Sequence, residues 1–181
     1  PGTVASQALT LRDTKKVCCF LGLYPNGIES MSMDIPGLVQ TSCNLGIFKV
    51  DETGLTGSGS VRSSIASRKQ LLLRRIGLLA EGLDGTLRVS GEYPAWEYRR
   101  ESHLRDVLCE VYKAQYGTDM KVEAIHAGLE CGLFCGKIPG LDAVSFGPNL
   151  YDIHTVKEHM SISSVQRVYA YLCAVLQALK D

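Results

Sequence analysis

The residues best able to do chemistry gather between Val122 and Ile162: His126, Glu130, Ser145, Gly147, His154 and Glu158. An imidazole at a loop end can leave one ring nitrogen free for a metal ion, and a nearby carboxylate such as Glu130 can hydrogen-bond a ligand histidine from behind. The loop Ser145-Phe146-Gly147-Pro148 has glycine where backbone can approach a ligand closely, so its N–H groups could hold a carboxylate or a developing oxyanion. Farther back, Arg62 carries a guanidinium, which grips a peptide carboxylate bidentately. Each residue also has a plainer role. A single loop histidine is more often solvated or hydrogen-bonded than a ligand, a Gly-Pro loop often only ends a strand, and a lone strand arginine is usually solvated. The seven cysteines are odd in number and scattered, so they read as reduced thiols, and Cys131 and Cys135 lack a second pair at zinc-finger spacing.

Elements must position these groups. Val122–Ile125 and Leu141–Val144 are short apolar runs that stop at loops, which predicts two strands separated by a Gly-rich turn, with a ligand crevice beyond their carboxyl ends. Ser102 is placed to cap a helix with Leu104, Val107, Leu108 and Val111 on one face, closed by Gly117. Ser161 or Ser163 caps a last helix whose expected core face is Val165, Val168, Tyr169, Leu172, Leu176 and Leu179. Glu158 is expected one helical turn beyond His154. Upstream, Val17–Leu23 closes a helix before Pro25-Asn26-Gly27, and Ile28–Met33 alternates as a strand. Ser42–Val50 and Leu55–Ser63 flank Asp51-Glu52-Thr53-Gly54, the composition of a hairpin turn. Ser67 caps a helix with Leu72, Ile76, Leu79 and Leu83 as its stripe, Thr86–Glu92 reads as a strand, and Tyr93-Pro94-Ala95-Trp96 breaks the chain. The expected fold class is therefore α+β for residues 1–96 and α/β for residues 97–181.

Composition narrows the function. With 181 residues and 45% hydrophobic content the chain can bury a core, and its 19 basic and 19 acidic residues leave no footprint for nucleic acid or an anionic membrane. The early apolar run Val17–Tyr24 is far short of the ~20 residues that span a bilayer, and no processing-site pattern follows it, so a cytoplasmic location is expected.

Several motifs carry a family resemblance. HAGLECG (126–132), PGLDAVSFGP (139–148), and HTxxE (His154, Thr155, Glu158) before an apolar helix resemble the C-terminal part of the aminoacyl-histidine dipeptidases. These carnosinase-like enzymes belong to the zinc aminopeptidase, aminoacylase and carboxypeptidase G superfamily. The similarity runs back through SGEYPAWE (90–97), VRSSIASRK (61–69) and TSCNLG (41–46) to PNG (25–27). It implies that residues 1–96 form part of an antiparallel-sheet-plus-helices lid, or dimerisation, domain, and residues 97–181 the C-terminal portion of a mixed α/β zinc-peptidase catalytic domain. It further implies hydrolysis of Xaa-His dipeptides through a metal-activated water, two Zn2+ per complete site, and a homodimer formed through the lid. His154 is then a zinc ligand, and Ser145, Phe146, Gly147, Pro148 and Arg62 contact substrate. Asn44, His126, Glu130 and Glu158 are weaker candidates. The family's HxD motif and Glu-Glu pair, which supply the other ligands and the general base, do not occur in this sequence, so the chain alone is expected to be inactive. The alternatives are a related aminoacylase or tripeptidase, and a free-standing non-catalytic dimerisation or binding module.

Overall fold

A computed structural model describes residues 8–124 and 130–180, which fall into two compact units meeting in sequence between Tyr98 and Arg99. In the first unit, helix α1 (Leu11–Leu23) starts at Thr10, whose hydroxyl oxygen accepts the Asp13 N–H at 3.1 Å, and it ends before Pro25. A three-stranded antiparallel sheet follows in the order β1 (Gly27–Met31), β2 (Val39–Asp51), β3 (Gly54–Ser63). The β2–β3 hairpin turns at the expected residues. Asp51 accepts both the N–H (2.8 Å) and the hydroxyl (2.6 Å) of Thr53, and Gly54 takes φ 130, which a side chain would resist.

The register slips between Leu45 and Ile47, and beside it Asn44 Oδ1 accepts the Ser60 N–H at 3.0 Å and Asn26 Oδ1 accepts the Leu45 N–H at 2.9 Å. Aromatic residues of α1 lie over the glycines of β3. A Cβ on Gly57 would strike the Phe20 ring, and one on Gly59 would strike the Asn44 carbonyl and the Tyr24 hydroxyl. Helix α2 (Ala66–Gly82) buries Leu72 and Ile76 with Cys43, while Tyr24 and Val61 pack beside them.

Two expectations for this unit are corrected. Ser67 lies inside α2 rather than capping it; the N-cap is Ile65, and the carboxylate of Glu97 accepts the Ala66 N–H at 3.2 Å in place of a local cap. Residues 86–92 form no strand, because no neighbouring strand pairs with them, and Leu87 and Val89 stay exposed.

In the second unit, helix α3 (His103–Tyr116) is capped by Ser102 and closed by Gly117 in the left-handed region, as its sequence predicts. Leu108, Tyr171 and Val175 form its core, with Val144, Tyr112 and Met120 packed around them. Tyr171 donates its hydroxyl to the Leu108 carbonyl at 2.7 Å, which satisfies a polar group in an apolar setting.

The two strands expected here do not form. Residues 122–124 and 141–149 have no ladder partner, and Ile125 lies outside the described residues. Between them, where a Gly-rich turn was expected, Glu130–Lys137 is helix α4, with Glu130 in its first turn and Lys137 in its last to complement the helix dipole. The apolar run Leu141–Val144 serves α3 instead. Val144 packs on its core, and Asp142 accepts the Ser102 hydroxyl (2.7 Å) and the Leu104 N–H (3.0 Å) at its N-terminus.

The last helix, α5 (Ile162–Ala178), is capped by Ser161, but it presents a different face from the one expected. Ser164, Tyr171 and Val175 are buried and Val168 half-buried, whereas Val165, Tyr169, Leu172, Leu176 and Leu179 are exposed. The helix has apolar residues on both sides, and the side that wins is the one where Tyr171 finds a carbonyl for its hydroxyl.

Candidate functional site around the His154 hairpin

Between the Gly-Pro loop and α5 the chain folds into a small antiparallel hairpin, with β4 (Leu150–Tyr151) paired to β5 (His159–Met160) in the register Leu150↔Met160 and Tyr151↔His159. Its seven-residue connection, 152–158, holds the two least usual backbone conformations of the second unit. Asp152 has φ 52 and His154 has φ 66, left-handed values that cost a residue with a Cβ roughly 1–2 kcal/mol.

Local hydrogen bonds hold them there. Thr155 donates its hydroxyl to the Asp152 carbonyl at 2.7 Å and accepts the Lys157 N–H at 3.1 Å. Glu158 Oε2 accepts the His154 N–H at 2.8 Å. The Thr and Glu of HTxxE therefore fix the backbone on either side of the histidine. Below the loop, Ser161 donates its N–H to the Asn149 carbonyl (3.0 Å), and Asn149 donates its N–H to Ser164 Oγ (2.9 Å), so the hairpin is tied to the start of α5.

The expectation that Glu158 stands one helical turn beyond His154 is corrected, since the helix begins only at Ile162. The side chain instead reaches back across a loop. His154 itself is exposed, and no hydrogen bond to its imidazole is found among the described residues. Beside it, His159 stacks on Tyr151 with ring centroids 5.1 Å apart, and its Nδ1 lies 2.8 Å from the Lys157 carbonyl and 3.7 Å from Asp152. Tyr151 and Asp152 were not singled out from sequence. A tyrosine and an aspartate in a two-residue strand and its turn leave no periodic signal.

Chain continuity brings the substrate-loop candidates to the same place. Ser145, Phe146 and Gly147 are exposed and Pro148 is half-buried, immediately before the Asn149 that anchors the hairpin. The edge of the Phe146–Tyr171 ring pair, with centroids 5.5 Å apart, fixes this loop on α5.

The other candidates belong to other elements. Glu130 is exposed at the start of α4, and His126 lies outside the described residues. Asn44 and Arg62 belong to the first unit. The carbonyl of Asn44 is engaged by Ser60 in the sheet, and Arg62 is exposed on β3 opposite Ser42. Among the described residues no group of three or more His, Cys, Asp or Glu is placed to hold a metal ion.

Asp142 is the charged group at the start of α3. Burial pushes its carboxyl up, but the bonds from Ser102 and Leu104 and the guanidinium groups of Arg99 and Arg105 outweigh that and hold it below the usual carboxylate range. The Cys131 thiol is pushed up, first by burial and then by Cys135.

The chain is mixed α/β with small antiparallel sheets, and its likeness to known proteins is partial in length. No family model matches the chain. Over 159 residues it is 30% identical to the cytosol non-specific dipeptidase of Escherichia coli (strain K12), covering 88% of this chain and 33% of that protein. Among solved structures it superposes on the aminoacylhistidine dipeptidase from Vibrio alginolyticus with a TM-score of 0.87 at 33% identity, covering 97% of this chain and 36% of that one. The aminopeptidase PepT from Bacillus cereus shares the fold, with a TM-score of 0.70 at 15% identity over 93% of this chain and 45% of that one.

The resemblance carried by the motifs thus holds: the chain is a relative of the aminoacyl-histidine dipeptidases and matches a part of their length. It spans about a third of the curated relative. Among the described residues no helix is long and apolar enough to cross a membrane.

Proposed function

We propose that this chain is the C-terminal part of a dinuclear zinc dipeptidase that hydrolyses Xaa-His dipeptides in the cytoplasm. The observation that carries this reading is the 33% identity, over 97% of the chain, to a solved aminoacylhistidine dipeptidase. In it the first unit is part of the lid and dimerisation domain, and the second is the C-terminal portion of the catalytic domain. His154 supplies one zinc ligand. Ser145, Phe146, Gly147 and Pro148 line the substrate, and Arg62 grips its carboxylate. The braced, left-handed backbone at His154 supports the ligand role, because strain of this kind persists where the surroundings impose it and clusters at functional sites. The remaining ligands and the general base lie outside these residues, so the metal-activated water is assembled elsewhere and this chain alone turns nothing over.

The test is a substrate panel on the protein recovered from its source: β-alanyl-histidine, other Xaa-His dipeptides, dipeptides without histidine, N-acetyl amino acids and tripeptides. The expected result is preferential hydrolysis of Xaa-His, with no turnover by the isolated 181-residue chain. Equal rates on dipeptides lacking histidine would remove the specificity and leave a broad dipeptidase, a reading favoured by the name of the Escherichia coli relative. Turnover of none of these would leave a non-catalytic dimerisation or binding module.

A further inference from the structure

The Gly-Pro loop, residues 145–148, has no hydrogen bond of its own among the described residues. It is held near its two ends, and both holds lie on α5. At one end the Phe146 ring meets Tyr171 edge-on, at 76° with centroids 5.5 Å apart. Tyr171 is buried and its hydroxyl is tied to the Leu108 carbonyl, so the contact is made to a fixed ring. At the other end the Asn149 N–H is donated to Ser164 Oγ at 2.9 Å.

Ser164 lies in the first turn of α5 and is 3% exposed. Its one hydroxyl proton is committed to the Ser161 carbonyl at 2.7 Å, which leaves the lone pairs of the oxygen for Asn149. A single buried hydroxyl thus joins the helix start to the residue that follows Pro148.

We infer that Ser164 is a positioning residue for substrate binding: its buried hydroxyl holds the Asn149 amide and, through it, the end of the loop that meets the dipeptide. This rests on the dipeptidase reading above, in which residues 145–148 line the substrate. Ser164 touches no substrate itself and acts through one backbone bond. Gly147 reports on the loop independently. A Cβ added there meets nothing within 4 Å, so within this chain Gly147→Ala asks nothing of the fold and adds a methyl to the open side of the loop.

The experiment measures kcat and KM for β-alanyl-histidine, the melting temperature, and amide exchange of the peptide containing Asn149, in variants of the full-length native protein. Ser164→Ala is expected to raise KM on the order of tenfold, to leave kcat within about twofold, and to speed exchange at Asn149. Ser164→Cys puts a weak acceptor in place of the hydroxyl without opening a cavity, and it shows the same split in smaller measure. Gly147→Ala also raises KM. An unchanged KM in both Ser164 variants, beside a raised KM in Gly147→Ala, overturns the inference and leaves the loop reading intact. A lower melting temperature with no change in KM overturns it equally, since Ser164 would then serve the fold alone. An unchanged KM in all the variants removes the loop from substrate binding. No hydrolysis of any dipeptide by the parent protein removes the dipeptidase reading as well.

Discussion

His154 shows how much of a motif can be read from its letters and how much only from its backbone. The resemblance marks His154, Thr155 and Glu158, but spacing alone places Glu158 on a helix, and the structure places it in a loop, accepting the His154 N–H at 2.8 Å. Nothing in a linear pattern signals φ 66 at a histidine, because that conformation is imposed by bonds from residues on both sides. Removing the Glu158 carboxylate should therefore release the backbone. Glu158→Ala is expected to speed amide hydrogen exchange at His154 and to lower stability by about 1 kcal/mol. His154→Gly in the Glu158→Ala background should recover part of that loss, since glycine adopts positive φ freely. No gain from the glycine would show that the Glu158 bond acts other than through the backbone.

Asp142 makes the second prediction at this scale. Its folded carboxyl is held below the ordinary value near ~3.9, so it contributes stability above that value and loses it as pH falls through the depressed one. Asp142→Asn is expected to cost about 1–2 kcal/mol at neutral pH and to flatten the acid limb of urea melts taken between about pH 6 and about pH 2. An acid limb as steep as that of the parent chain would contradict the assignment. The aspartate gave no signal in sequence because it caps a helix from 40 residues away.

At the scale of elements, what sequence conveyed well was local. The β2–β3 turn, the Ser102 and Ser161 caps, the Gly117 stop and the Leu72–Ile76 stripe all depend on residues within a turn or two. What it conveyed poorly depends on distant partners. Leu141–Val144 has a strand's composition but no ladder, and the burial of α5 is decided by where Tyr171 finds the Leu108 carbonyl.

The two faces of that helix bundle should answer differently to truncation. Leu108 is 2% exposed, and Leu108→Ala is expected to cost about 2–5 kcal/mol in the isolated chain. Leu176 is 53% exposed, and Leu176→Ala should stay within about 0.5 kcal/mol. Equal costs in denaturant melts would mean that the Leu176 face is already covered. In the first unit, Gly59→Ala should cost about 1–3 kcal/mol, since the added methyl meets the Asn44 carbonyl and the Tyr24 hydroxyl. A neutral melt would contradict the close approach of β2 backbone and Tyr24 at Gly59.

The whole molecule reads as two compact units, each with its own small core, and as about a third of the length of its curated relative. Over that share it resembles dipeptidases, and the described residues assemble no metal-binding group of three. A metal site is built from residues far apart in a chain, and a motif such as HTxxE names one contributor without the others. In the function proposed above, His154 is a single zinc ligand. Its most direct test is the zinc content of the protein recovered from its source, compared with a His154→Ala variant of the same protein. The account predicts that the variant loses bound zinc and most Xaa-His hydrolysis while keeping its fold. Unchanged zinc content and unchanged turnover in the variant would contradict it.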